Sequence, residues 1–308
     1  MRDVSLKQLR AVAAIARTGK VSAAAESLGV TAPAVTLQLR QLEDSLRLGL
    51  FERSRAGMKL TAAGRHLLET AQRIEAALAS CAEGFDAMRG LKNGTVSIGV
   101  VSTAKYFAPA ALGAFKRKHP SLDLKLFVGN REDTIRGLAA LEFDIVIMGR
   151  PPKTLDVESA VIGPHPHVII ARPDHPLAAR RGLALIEFGE EIFLMREEGS
   201  GTRMLMERLF SEAGVTPRKG MEIASNETIK QAVMAGLGIA FISAHTAAAE
   251  IEMKRLIVLD VKGLPALRQW QVVRHAEKRL MPAPAALWDF LQKEGERFLP
   301  PPHLAHAP

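Results

Sequence analysis

Residues 21–55 read VSAAAESLGVTAPAVTLQLRQLEDSLRLGLFERSR, and no other stretch limits the fold so tightly. Ser22 is a suitable N-cap with Glu26 behind it, and Ala23, Ala24, Ala25 and Leu28 form a strong helix-forming run. Gly29 supplies the left-handed backbone that ends a helix without a Cβ penalty. Thr31 caps the next helix, and Pro33 fits its first turn, where a missing N–H costs nothing. Val35, Leu39, Leu42 and Leu46 then recur at spacings of 4, 3 and 4, which is one helical face. Ser5 to Thr18 adds a supporting helix whose apolar stripe is Leu6, Leu9, Val12, Ala13 and Ile15. A basic hairpin candidate follows the second helix, so the pattern is a helix-turn-helix with a wing.

Helix pairs on a Gly-containing turn are common, and spacing alone leaves a DNA-reading domain and a plain all-α domain equally open. Charge separates them. Residues 1–65 carry 11 Lys and Arg against 5 Asp and Glu, a net of +6, whereas the rest carry 30 against 28, a net of +2. Phosphate contact calls for that asymmetry, because each neutralised phosphate releases counterions. Thr31, Pro33, Ala34, Thr36, Gln38 and Arg40 then lie nearest the bases, short at the helix start and polar further on. Arg53 and Arg55, grouped with Lys59 around Gly57, are expected to hold phosphates.

From Thr61, a capping residue, no proline interrupts the chain until Pro109. Leu67, Ala71, Ile74, Leu78, Cys81, Phe85 and Met88 follow at spacings of 4, 3, 4, 3, 4 and 3. That heptad seam favours pairing with a second helix, the other reading being an amphipathic helix lying on its own domain. About 30 residues of helix span roughly 45 Å. Pairing suits a DNA reader, since two half-sites multiply affinity.

Arg89 to Gly94 reads as a short polar hinge, after which strand-type runs alternate with helical ones. Candidate strands are 95–101, 122–129, 145–148, 168–171, 192–195, 240–243, 257–261 and 270–274. Candidate helices are 107–118, 134–141, 201–213, 226–234, 243–254 and 283–298. The alternation predicts parallel sheets covered by helices, in two lobes. The chain crosses near Pro151 to Pro166 and returns near Gly263 to Arg268, both rich in Pro and Gly as hinge strands can be.

In such folds ligands bind where strands lead into helices. Four loops qualify: Ser102 to Lys105 (with Thr103), Gly129 to Glu132 (with Asn130 and Arg131), Glu198 to Arg203 (with Ser200, Gly201 and Thr202), and Ser225 to Thr228 (with Asn226 and Glu227). Hydroxyls and free N–H groups at helix starts bind anions, and Lys105, Arg131 and Arg203 add charge. Each loop alone is an ordinary N-cap; four meeting across one cleft predict an anion site.

Other signals read as structure. Gly236-Leu237-Gly238 lacks the third glycine of a dinucleotide fingerprint. His165, His167 and His175 have no acid or Cys partners at ligand spacing, so no metal is expected. Cys81 is the only cysteine, which excludes an internal disulfide and suits a reducing compartment. No nucleophile–base order, paired carboxylates or phosphate loop suggests an enzyme. Arg2, Asp3, Lys7 and Arg10 break up any apolar leader, and no 18-residue apolar run exists. A cytoplasmic protein with a disordered tail from Pro300 to Pro308 is expected.

The segment from Lys7 to Gly64, including LTAAG, is similar to the N-terminal domain of LysR-type transcriptional regulators. Ala32 and Leu37 stand where members of that family commonly carry Gln and a basic residue. FVGNRE, IVIMGRPP, EGSGTR and SNETIKQAVMAGLGIAFIS further resemble the CbbR-like regulators of carbon-fixation (Calvin cycle) operons within it. The resemblance spans roughly residues 1–300 and implies an α+β multidomain chain. An N-terminal all-α winged helix-turn-helix covers 1–60 and a linker and dimerisation helix 61–92. A two-lobe α/β effector domain of periplasmic-binding-protein type covers 93–308, lobe 1 being about 93–163 and 268–300 and lobe 2 about 164–267.

The resemblance also implies antiparallel pairing of the linker helix in a homodimer, and a homotetramer that bends promoter DNA. An effector between the lobes then relaxes the bend and opens the promoter to RNA polymerase, making the protein an activator. Gly149, in IVIMGRPP, joins the effector loops. The implied effector is a small anion, namely a sugar phosphate, phosphoenolpyruvate or NADPH, with no cofactor and no membrane partner. A regulator of another metabolic operon is the alternative within the family. A solute-binding protein would share the two lobes but needs an export signal and no basic N-terminal domain.

Overall fold

In the computed structural model, which describes residues 4–54, 57–88 and 94–301, the first helix, α1 (Leu6–Thr18), opens on a capping box. Ser5 Oγ accepts from Gln8 N while Gln8 Oε1 accepts from Ser5 N. The second helix, α2 (Val21–Leu28), starts earlier than expected. Lys20, not Ser22, is its N-cap: Lys20 O receives the first helical bond from Ala24 N, at 3.0 Å, which places Ser22 inside the first turn. Gly29 ends α2 with φ 65°, as expected. The third helix, α3 (Ala32–Leu46), has Thr31 as N-cap and buries Val35, Leu39 and Leu42 against Leu9, Val12 and Ile15 of α1. A hairpin of β1 (Phe51–Ser54) and β2 (Gly57–Leu60) forms the wing. Arg55 lies outside the described residues.

Thr61 caps α4 (Ala62–Met88): its Oγ1 accepts from Gly64 N at 3.0 Å and donates to Gly49 O at 2.8 Å. This start is tightly seated. A Cβ on Gly64 would lie 2.1 Å from Leu50 O, which already accepts from Thr61 N. We expect Gly64→Ala to destabilise the N-terminal unit by about 1–3 kcal/mol, towards the upper figure because a backbone carbonyl cannot rotate away. Far-UV circular dichroism melts check this; an unmoved N-terminal transition would show that α4 slides aside freely.

The heptad seam divides. Leu67 and Ala71 are only 7% and 1% exposed and belong to the core of their own unit, because the first turns of α4 pack on α1. Ile74, Leu78, Cys81 and Phe85 are exposed. Of the expected hinge at 89–94, residues 89–93 lie outside the described residues, as does the tail from 302.

The chain divides into two units, Met1–Arg89 with Ala140–Glu142, and Gly90–Ala139 with Phe143–Pro308. The second unit begins with β3 (Thr95–Val101), α5 (Ala108–Lys118), β4 (Asp123–Gly129), α6 (Arg131–Ala139) and β5 (Ile145–Met148). Strands β4, β3 and β5 are parallel neighbours. The long β6 (Val157–Ala171) leads to β7 (Ile192–Arg196), α7 (Gly201–Glu212), β8 (Arg218–Ile223), α8 (Asn226–Met234), β9 (Ala240–Ser243), α9 (Ala244–Glu252) and β10 (Ile257–Val258). The chain returns through β11 (Ala266–His275) and continues into α10 (Pro282–Glu294).

Strands β6 and β11 pair antiparallel along their length, because one carries the chain out of the first lobe and the other brings it back. The expected Pro-rich crossing at 151–166 is therefore strand from Val157 onward and is continuous with the strand expected at 168–171. Pro164 and Pro166 are tolerated because β6 there has a neighbour only on its β11 side; β9 joins from His167 onward. The sheet is mixed rather than wholly parallel, and β8, parallel to β7, was not foreseen.

Side-chain alternation builds the second lobe. Val168 and Ile170 point into a core shared with α8 and α9, Ile169 and Ala171 into one shared with α7. The first lobe centres on Ile98, Val100, Phe107, Phe115, Ile147 and Trp270.

Candidate functional site

On α3 the predicted face is partly occupied by its own backbone chemistry. Thr31 Oγ1 accepts from Ala34 N at 3.4 Å, and Thr36 Oγ1 donates to Ala32 O at 2.9 Å. Thr31, Pro33 and Arg40 are exposed, Ala34, Thr36 and Gln38 half-buried, and Leu37 is exposed among them. Arg53 lies on β1, opposite Met58.

In the second unit a cavity of about 640 Å³ opens between the lobes, at the ends of β3, β4, β5 and β7. Ser102, Thr103, Asn130, Arg131, Gly149, Ser200, Gly201 and Thr202 all line it, as their loops predicted. Six cationic residues line it (Arg131, Arg150, Lys153, Arg196, Arg208 and Arg268) against one acidic residue, Glu132. Among the described residues, Arg131, Arg150, Lys153 and Arg268 have no carboxylate partner. Arg131 is tied to the Arg150 backbone carbonyl, and burial, then the charge of Arg150, lower its pKa. Asn130 both lines the cavity and caps α6, its Oδ1 accepting from Asp133 N at 2.9 Å.

Ser200, the N-cap of α7, makes no side-chain capping bond. Its hydroxyl, and those of Thr103 and Thr202, are not engaged by protein partners among the described residues. All three residues line the cavity, Ser200 and Thr202 at the α7 N-terminus, where backbone N–H groups and the helix dipole favour an anion.

Arg196, absent from the sequence reading, organises the wall. It is 3% exposed, bonds Glu197 through Nε (2.8 Å) and Nη2 (2.9 Å), and donates through Nη1 to Asn226 Oδ1 (2.5 Å). Its Nη2 also reaches Ser102 Oγ at 3.0 Å across the lobes. Ser102 Oγ thus already accepts, which leaves its O–H to be donated into the cavity.

Four predicted residues do not line the cavity. Asn226 stands behind it as the acceptor for Arg196. Arg203 is drawn away by Glu207 (3.0 Å) and Glu222 (2.6 Å), and supports the wall from outside by donating to Arg196 O at 3.1 Å. Lys105 sits 5.2 Å over the Tyr106 ring, and the Tyr106 hydroxyl donates to Glu227. Glu227 also pairs with buried Lys230 at 3.1 Å, and Lys230 with Glu250 at 2.8 Å. Burial, then Glu227, raises the Tyr106 pKa. Local partners, invisible in sequence, took these groups out of the site.

The floor was also missed. His165 and His167 line the cavity, and Trp270 Nε1, behind His165, donates to His245 Nδ1 at 3.1 Å. Burial pushes His167 and His245 down to about 4 and His165 well below its usual range. Their i, i+2 spacing on a strand was the available signal, obscured by the intervening Pro166.

A helix-turn-helix unit in one chain with a two-lobed cavity domain is the architecture of a bacterial transcription regulator. Residues 6–65 match the bacterial regulatory helix-turn-helix protein, lysR family, and residues 89–296 the LysR substrate binding domain, so the chain belongs to the LysR family. It is 52% identical over 298 residues to the HTH-type transcriptional regulator CbbR of Xanthobacter flavus, covering 96% of this chain and 90% of that one. It is 45% identical over 294 residues to the RuBisCO operon transcriptional regulator of Allochromatium vinosum, covering 96% and 97%. The regulatory domain of Synechocystis PCC6803 CcmR, solved in complex with 2-PG, is 37% identical with a TM-score of 0.63, covering 65% of this chain and 96% of that domain.

Proposed function

We propose that this LysR-type DNA-binding regulator controls a carbon-fixation operon and that the interlobe cavity is where a small anionic metabolite acts. The unpaired cations facing free hydroxyls at the start of α7 carry the effector half of that reading. Relatives named for CbbR and for the RuBisCO operon support the target half. Residues 1–60 read promoter DNA, 61–92 link and pair subunits, and 93–308 sense the effector. The protein works in the cytoplasm as a homotetramer and activates by presenting the promoter to RNA polymerase. No helix among the described residues is long and apolar enough to cross a membrane.

The test has two arms. Fluorescence anisotropy on the promoter of a neighbouring operon should show sequence-selective binding that weakens steeply with salt. Thermal shift with 2-phosphoglycolate should raise the midpoint by several degrees at a hundredfold excess over Kd, equivalent to about 2.7 kcal/mol. Thr103→Ala and Thr202→Ala should shrink that shift. Salt-insensitive DNA binding would sink the first half, and an equal shift in both variants the second.

A further inference from the structure

Around the cleft, His165 and His167 are the buried side chains whose hydrogen-bonding capacity is least used. Each is 4% exposed and both line the cavity. Both ring nitrogens of His165 and Nδ1 of His167 are buried with no partner among the described residues. Such groups are rare in folded proteins and call for an explanation.

The rings cannot turn away easily. His165 stacks on Trp270 with centroids 3.6 Å apart and planes at 15°, and lies 4.2 Å from His167. His167 in turn stacks on Phe241 at 5.6 Å and 11°. Gly149 leaves room for this column, since a Cβ there would meet His165 Nδ1 at 2.9 Å. The column sits on β6, the strand that passes between the lobes, so a ligand held on it touches the crossing itself.

Burial keeps both imidazoles neutral, and a neutral imidazole carries one N–H donor and one bare acceptor nitrogen. Phosphate dianions and carboxylates only accept, so they leave the acceptor nitrogens unmet. A hydroxyl donates and accepts, and so satisfies any of these three nitrogens, whichever tautomer its ring takes. Resting on the reading that the cleft takes a small anion, we propose that His165 and His167 are specificity-determining residues that hold a hydroxyl of the ligand, so that the cleft selects an anion that also carries a free hydroxyl. The cationic wall takes the charge, and the floor takes the hydroxyl.

Glycerol 3-phosphate and n-propyl phosphate share chain length and charge but differ in their hydroxyls, and calorimetric titration of the full-length protein with each tests the proposal. Glycerol 3-phosphate is expected to bind at least about tenfold tighter, the effect of one or two buried hydrogen bonds. His165→Phe and, separately, His167→Phe keep a stacked ring but delete the nitrogens. Each should bring the affinity ratio close to one, mainly by loss of glycerol 3-phosphate binding. A tryptophan-fluorescence melt identifies a variant that fails to fold, and the other variant then decides. A wild-type ratio near one, or a ratio that survives both substitutions, overturns the proposal. So does an equal loss of both esters, which would make the histidines anion ligands. If neither ester nor 2-phosphoglycolate binds the wild type, the anion cleft itself is wrong.

Discussion

Arg196→Met is expected to lower the unfolding free energy of the effector-binding unit by about 3 kcal/mol, the lower end for one partner lost from a buried ion pair. The lower end applies because the Glu197 side chain is 17% exposed and water recovers part of its charge. Three groups lose a donor at once: the Glu197 carboxylate, Asn226 Oδ1 and Ser102 Oγ. The two tryptophans of the chain, Trp270 and Trp288, both lie in this unit, so urea unfolding followed by their fluorescence reports on it alone. The bond to Ser102 also joins the lobes, and the variant should respond weakly to the anion even where it stays folded. A loss below about 1 kcal/mol, the level of a surface ion pair, would show that Arg196 is solvated and organises nothing.

Acid should destabilise the same unit before carboxylates begin to titrate. His167 and His245 sit at about 4 in the folded chain, against an ordinary 6.5, chiefly through burial. Between those values the unfolded chain binds more protons than the folded one. Their contribution is therefore intact above about pH 6.5 and is lost as pH falls towards 4, at up to about 1.4 kcal/mol per pH unit for each histidine. Protonating His245 at Nδ1 also removes the acceptor of the Trp270 N–H, so the loss should appear in the emission of that tryptophan. His165, lowered further still, adds to the same slope, so urea midpoints at pH 7, 6 and 5 check this, and His167→Phe should flatten the slope by about a third. Equal stability at pH 7 and pH 5 would mean that water reaches these rings.

The N-terminal unit was legible because its signals are local. Thr31, Pro33 and the leucines of α3 act within four residues of themselves, and Gly29 needs only its own φ. The parallel strands before the cavity-lining loops were legible for the same reason, as short apolar runs bounded by turn residues. Boundaries failed where a distant partner overrides propensity, as when β11 holds Pro164 and Pro166 in a strand, or when Lys20 O takes the first bond of α2.

By itself, then, the sequence determined the order of elements, the helix-turn-helix with its basic hairpin, the seam spacing of α4 and the loops that supply Ser102, Thr103, Asn130, Ser200 and Thr202. Each is written in spacings that backbone geometry converts directly into a face or a cap. Only the tertiary structure decided which charges stay available. Arg203, Lys105 and Glu227 found partners, whereas Arg131, Arg150 and Arg268 line the cavity with no carboxylate partner among the described residues. Packing likewise withdrew Leu67 and Ala71 from the seam, and it turned two histidines of a Pro-rich strand into the cavity floor. The reason is range: a helix face is set by neighbours four residues away, but the availability of a charge or a ring nitrogen is set by side chains that only the fold brings near.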